Sequence, residues 1–159
     1  MSGPLETKPG IRVDSSGRWY YGENLITNEQ ILAYFQAGLR RKGSEYYIEN
    51  KFGDLREHGT LDSVEGFPVI VRSLAVDEVT CHVTLYTDFS TFSISPDEIL
   101  LIDENTLAVI LPEKIPARLG PSAMAALHKY LEEDAEGYAL RIQESNFLLK
   151  RSSLKELGF

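Results

Sequence analysis

Two short stretches of helical periodicity stand about 92 residues apart in a chain otherwise made of brief β-prone runs, and that spacing restricts the fold more than any other feature. In the first stretch Thr27 is placed as N-cap, with Gln30 completing a capping box and Ile26 and Ile31 positioned as a hydrophobic staple. Leu32, Phe35 and Leu39 recur on one face, Arg40, Arg41 and Lys42 fall in the last turn where the helix dipole favours cations, and Gly43 supplies the stop. The second stretch begins near Gly120, has Pro121 at its first position, and carries Met124, Leu127 and Leu131 as its stripe up to Gly137. The shift lays Leu32 on Met124, Phe35 on Leu127 and Leu39 on Leu131, then Tyr46 on Tyr138 and Ile48 on Leu140. The expected architecture is α+β: two β-β-α-β repeats flanking central antiparallel strands, related by a pseudo-two-fold axis, with a shared pocket where they meet.

The strand signals fill in this frame. Ile11-Arg12-Val13 and Arg18-Trp19-Tyr20-Tyr21 lie either side of the turn-rich Asp14-Ser15-Ser16-Gly17 and predict a hairpin. Residues 53–66 are polar and read as loop. A strand is expected at 69–74, a turn at Ala75-Val76-Asp77-Glu78, and a partner strand at 79–86, where Val79, Cys81, Val83 and Leu85 alternate with Thr80, His82, Thr84 and Tyr86. Short strands follow near Phe92, at 98–102 and at 107–111, the last two bracketing a turn at 103–106, and again at Tyr138–Ile142 and Phe147–Lys150. The chain then divides into a flexible lead-in at 1–10, a first lobe at 11–66, central strands plus a second lobe at 67–151, and a tail at 152–159 whose Leu154, Leu157 and Phe159 either dock or fray.

Composition narrows the function classes. A chain of 159 residues buries a proper core without staples, and the lone Cys81 precludes an internal disulfide. A net charge of −8 opposes duplex nucleic acid and anionic membranes, while leaving room for a local basic site that holds a small anion. The absence of a signal-like start and of a long apolar run points to the cytoplasm by elimination.

No phosphate loop, dinucleotide fingerprint, nucleophile elbow or paired helical histidines occur, so no catalytic residue, metal ligand or cofactor is assigned. His58, His82 and His128 fall on three separate elements, and Cys81 alternates onto an apolar face as a buried thiol. Glu132-Glu133-Asp134 and Glu136 read as a solvated face at the end of the second helix. Trp19, Tyr20, Tyr21, Tyr34, Phe35, Tyr46 and Tyr47 crowd the first lobe. Most of these rings belong to a core, with one tyrosine of each adjacent pair turned outward.

The run Asp14, Gly17-Arg18-Trp19-Tyr20, Gly22 resembles the opening of the bacterial domain-of-unknown-function family 1285, in which a D-x-x-G-x-W-aromatic hairpin precedes a loop and an amphipathic helix. Val64-Glu65-Gly66-Phe67-Pro68-Val69 is similar to that family's entry into its central strands, and Tyr86-Thr87-Asp88-Phe89 to its aromatic-Thr-Asn-aliphatic stretch. The resemblance covers residues 11–94. Asn50-Lys51-Phe52-Gly53 replaces the family's Thr-Pro-x-Glu, and the later half matches in outline, with Ala117-Arg118-Leu119-Gly120 ahead of the helix. It implies duplicated halves, the second like a pleckstrin-homology domain, a site between them for a nucleotide-like molecule, and a signalling role.

The leading expectation is therefore a non-enzymatic ligand-binding or regulatory protein. Arg72 and Arg118 are the anion contacts, Thr87 and Asp88 hydrogen-bond the ligand, and Trp19 or Tyr47 stacks on it. The alternative is an interaction scaffold or homodimer using strand edges and the apolar tail. An enzyme without a familiar motif would use Asp88 and His82 as its acid-base pair.

Overall fold

A computed structural model describes residues 5–7, 10–52, 55–103 and 105–158. Among them are two α-helices, α1 (Glu29–Ala37) and α2 (Pro121–His128), set among short strands in several small sheets, so the class is α+β. None of these helices is long and apolar enough to cross a membrane.

The expected first hairpin is present: Ile11–Val13 pairs antiparallel with Trp19–Tyr21, Val13 opposite Trp19. Asn24–Leu25 adds on one side and Ser63–Val64 returns parallel to Ile11–Val13 on the other. The sheet order is thus 24–25, 19–21, 11–13, 63–64. The later half contains the same succession. Leu100–Asp103 pairs antiparallel with Thr106–Leu111, which pairs antiparallel with Ile115–Leu119, and Lys150–Arg151 returns parallel to Leu100–Asp103. One strand is extra there: Val69–Val71 runs parallel along the far side of Ile115–Leu119.

Each helix follows the third strand of its antiparallel run and leads into a meander. After α1 come Leu39–Lys42, Glu45–Phe52 and Leu55–Thr60; after α2 come Leu131–Asp134, Gly137–Ile142 and Ser145–Leu148. The pairs Leu39–Ile48 and Arg41–Tyr46 recur about 92 residues on as Leu131–Leu140 and Glu133–Tyr138.

Both helices are shorter than their sequence stripes. Asn28, not Thr27, is the N-cap of α1, its Oδ1 accepting the N–H groups of Gln30 and Ile31 at 3.0 and 3.1 Å. Gly38 ends it, its N–H turned back to Tyr34 and Phe35 carbonyls. Gly43 instead lies in the tight turn after Lys42, at φ +63°. Leu39 and Leu131 are the first residues of strands. An apolar residue just past a helix end falls on the helical stripe by spacing alone. The cations Arg40–Lys42 and the acidic run Glu132–Asp134 accordingly lie on strands.

Two loop expectations also change. Residues 55–60 and 63–64 form strands, because backbone pairing to neighbours satisfies their N–H and C=O groups without apolar alternation. Leu5–Thr7, placed within the lead-in, pairs parallel with residues 57–59.

The central strands turn later than alternation predicts. Ser73–Val76 pairs with Val83–Tyr86, and the turn spans Asp77–His82. Asp77 Oδ1 accepts from Val79 and Thr80 N–H, and Cys81 sits at φ +64° with its N–H on the Asp77 carbonyl. Those bonds hold the Asp77 carboxyl below its usual pKa. Val79 is 93% exposed, so its place in the alternation is accidental, and Cys81 is half-buried against the core. The strand expected at 69–74 is divided: 69–71 belongs to the second sheet, 73–76 to the central meander, and Arg72 lies at the crossing.

One apolar core runs through both halves, from Ile11, Val13 and Trp19 through Val69, Val83 and Leu85 to Leu127, Leu140 and Ile142. On the opposite face of the second sheet a smaller cluster joins Phe67, Ala108 and Leu157. The tail therefore docks through Leu157; Phe159 lies outside the described residues.

Candidate functional site

A groove of about 330 Å³ lies between the first hairpin turn, the 65–67 segment, the 102–106 hairpin end and the tail. Its wall is built by Asp14. Asp14 Oδ1 accepts from Ser16 and Arg18 N–H at 2.9 Å each, and Oδ2 accepts from Arg18 Nε at 3.0 Å and Tyr20 Oη at 3.2 Å. Partial burial works to raise the pKa of this carboxyl, but the Arg18 bonds, joined by Ser16 and Tyr20, outweigh it and hold the carboxyl below the ordinary range. Gly17, at φ +84°, closes the turn, and a Cβ there would meet the Phe67 carbonyl oxygen at 2.6 Å. A Cβ on Gly66 would meet the carbonyl oxygens of Ser15 and Asp14 at 2.5 and 2.8 Å. The turn and the 64–69 segment thus touch backbone to backbone, pinned by Glu65 N–H on the Val13 carbonyl and Trp19 Nε1 on the Pro68 carbonyl at 2.7 Å.

The floor comes from the second sheet. Arg118 pairs across to Ala108 on one side and Ile70 on the other, so these side chains rise from one face. Leu157 covers that face at Ala108, and exposed Leu154 rims the groove. Arg118 is half-buried, and its side chain makes no hydrogen bond or ion pair among the described residues. Around it stand Ser15, Ser16 and Thr106, with the carboxylates of Glu65 and Asp103 at the exposed rim. Asp103 Oδ1 accepts the Asn105 N–H at 2.8 Å.

The six site residues expected from sequence do not gather at one site. Only Arg118 lines the groove. Arg72 is exposed rather than buried, since it sits where the chain crosses between sheets, and its guanidinium grips Asp88 with Nε and Nη2 at 3.0–3.3 Å. Thr87 Oγ1 is engaged with Ser90, donating to its carbonyl at 2.7 Å and accepting its N–H at 3.1 Å. Arg72, Thr87 and Asp88 therefore meet at one hairpin end and satisfy each other or the local turn. Trp19 is 2% exposed and packs into the core. Tyr47 is half-buried on the strand 45–52, opposite Arg40 and Thr60, away from the groove lining.

Other candidates resolve into structure. Arg40 Nη1 donates to the Leu39 and Ala37 carbonyls; Arg41 Nη1 reaches the Lys114 carbonyl at 3.1 Å and its guanidinium lies over the Tyr46 ring. His82 Nδ1 lies 3.5 Å from Ser93 Oγ while Asp88 holds Arg72, so the proposed acid-base pair is not assembled. No group of three or more His, Cys, Asp or Glu among the described residues is arranged to hold a metal ion. Ser15, Ser16, Glu65, Asp103 and Thr106 escaped the sequence reading. The available signal was that Asp14–Trp19 and Val64–Val69 carried the family resemblance together, as two segments in contact would.

Neither a family model nor a curated protein matches the sequence. Solved structures do match the fold. A DUF1285 family protein from Silicibacter pomeroyi DSS-3 superposes with a TM-score of 0.70 at 17% identity, over 99% of this chain and 87% of that one. The chain has the DUF1285 fold. A second DUF1285 family protein, from Shewanella baltica OS155, gives a TM-score of 0.58 at 14% identity, over 77% of this chain and 90% of that one. At these identities the likeness is one of fold. The DUF1285 fold accounts for the motif order: the D-x-x-G-x-W hairpin and the Glu-Gly-Phe-Pro segment interlock as one wall.

Proposed function

We propose that this chain is a non-enzymatic, regulatory ligand-binding protein whose groove between two repeated halves takes a small anionic metabolite. The observation that carries the reading is Arg118, a half-buried residue whose side chain has no partner among the described residues, lining a groove rimmed by hydroxyls. An unpaired guanidinium is matched by a phosphate or carboxylate that it can grip with two N–H groups. Glu65 and Asp103 would repel a second negative group and accept hydrogen bonds from hydroxyl or amino donors. The ligand is thus an anion at one end and a donor at the other. A volume near 330 Å³ is small for a ligand site, and the one aromatic side chain in the lining, Phe67, is buried. The phosphorylated end of a nucleotide-like molecule fits this chemistry better than its base does.

The duplication belongs to the same proposal. Its support is the matching sheet order of the two halves and the strand pairs recurring about 92 residues apart. The pleckstrin-homology likeness implied for the second half adds nothing to the ligand argument.

A thermal-shift screen of phosphorylated and carboxylated small metabolites tests the reading. A ligand at ~100 times its dissociation constant adds about 2.7 kcal/mol, a shift of several degrees at this size. Arg118→Gln should abolish the shift, and Arg72→Ala should leave it intact because Arg72 already pairs with Asp88. A shift that survives Arg118→Gln, or a screen without any stabilising compound, overturns the proposal.

A further inference from the structure

The two halves close their sheets differently. In the second half the third strand, Ile115–Leu119, is covered on its far side by Val69-Ile70-Val71, running parallel with Val69 opposite Ala117 and Val71 opposite Leu119. Both valines are fully buried. The corresponding strand of the first half is Asn24–Leu25: each is the third strand of its sheet, pairs antiparallel with the middle strand, and precedes the helix. None of the described residues pairs with its far side.

That open edge carries exposed apolar side chains among the polar Asn24, Thr27 and Asn28. Tyr21, Leu25 and Ile31 are 56%, 45% and 47% exposed, and with Phe35 they line a groove of about 380 Å³ beside the edge. Natural proteins blunt exposed edges with charge, proline or cover. Here the only charges between Trp19 and Phe35 are Glu23 and Glu29, both acidic and exposed.

We propose that this edge receives an extended segment of a partner protein, with alternating β-branched residues flanked by Lys or Arg. The segment adds a strand beside Asn24–Leu25 as Val69–Val71 does beside Ile115–Leu119. Main-chain hydrogen bonds supply the register, and alternate side chains drop into the groove against Leu25 and Ile31. The internal strand shows what chemistry closes an edge of this kind. The acidic rim selects the flanking charge, and it disfavours a second copy, which would bring the same two glutamates and a further net charge of −8. The inference does not depend on the Arg118 groove.

Selection of a random peptide library on the full chain, with Leu25→Asp as counter-selection, tests it. The expected consensus alternates Val or Ile with other residues and carries basic flanks. Its affinity should fall at least about tenfold with Leu25→Asp, with Ile31→Asp, and with N-methylation of alternate peptide amides, which removes strand donors. Arg118→Gln should not change it. Both Asp substitutions are at exposed positions, and retained thermal midpoints verify folding. An enriched sequence with helical i, i+3, i+4 spacing, insensitivity to N-methylation, binding that survives both substitutions, a library without a consensus, or a dimer in sedimentation that Leu25→Asp dissolves would each overturn the proposal.

Discussion

Asp14 organises four donors with two oxygens, and the turn it closes is the wall of the groove. Asparagine there keeps one acceptor for the turn but loses the Arg18 ion pair. Because the Arg18 side chain is mostly exposed, solvent screens the pair, and Asp14→Asn should cost about 1 kcal/mol, roughly 2–4 °C in Tm at pH 7. The pH dependence has a definite sign. The folded carboxyl titrates below its unfolded value of about 3.9, so its contribution is complete above that pH and is lost as pH falls through the folded value. Melting curves of wild type and Asp14→Asn from pH 7 downward should differ by a constant amount to about pH 5 and converge in stronger acid. A gap that widens on acidification contradicts this role. Residue-scale identity was partly legible in the sequence. Asp14, Gly17 and Trp19 stood out, but as members of a motif, and their purpose appears only with Gly66 and Pro68 placed against them. Arg118 could be named, whereas the hydroxyls beside it come from segments about 90 residues apart, such as Ser15 and Thr106, and no local pattern links those.

At the scale of elements, the helices and hairpins were legible and their ends were not. Periodicity located α1 and α2, yet Leu39 and Leu131 continue each stripe by spacing while belonging to strands. Alternation found the central hairpin and misplaced its turn, because Asp77 captures Val79 and Thr80 before the strand can begin. The parallel strands were beyond local reading, since Leu5–Thr7, Ser63–Val64 and Lys150–Arg151 are held by partners far along the chain. The same competition decides the α1 cap. Both Thr27 and Asn28 can cap, but Asn28 Oδ1 is the acceptor for Gln30 and Ile31 N–H. Asn28→Ala should therefore cost about 1 kcal/mol, whereas Thr27→Ala, at an exposed position outside the cap, should stay within roughly 0.5 kcal/mol. Urea titrations of the two variants separate them, and equal losses would return the cap to Thr27.

At the scale of the whole molecule, the question is whether the segments before and after the central strands behave as two units. Two such segments can keep separate cores joined by a linker, and each would then melt by itself. Here Trp19 of the first half and Leu140 of the second belong to one cluster of buried side chains, with Val69, Val83 and Leu85 of the central segment between them. Arg41 of the first half also reaches the Lys114 carbonyl of the second. The chain has one tryptophan, so its fluorescence reports on the first half alone, whereas far-UV circular dichroism reports on both. Leu140 is fully buried, and Leu140→Ala opens a cavity worth about 2–5 kcal/mol. If the core is shared, that substitution should lower the tryptophan-detected midpoint by at least roughly 4 °C, and the fluorescence and dichroism curves should still coincide. If the halves were independent, the dichroism curve would split and the tryptophan transition would stay where it was. Coincidence would mean that the ligand proposed for the groove lined by Ser15 and Arg118 would stabilise the molecule as a whole.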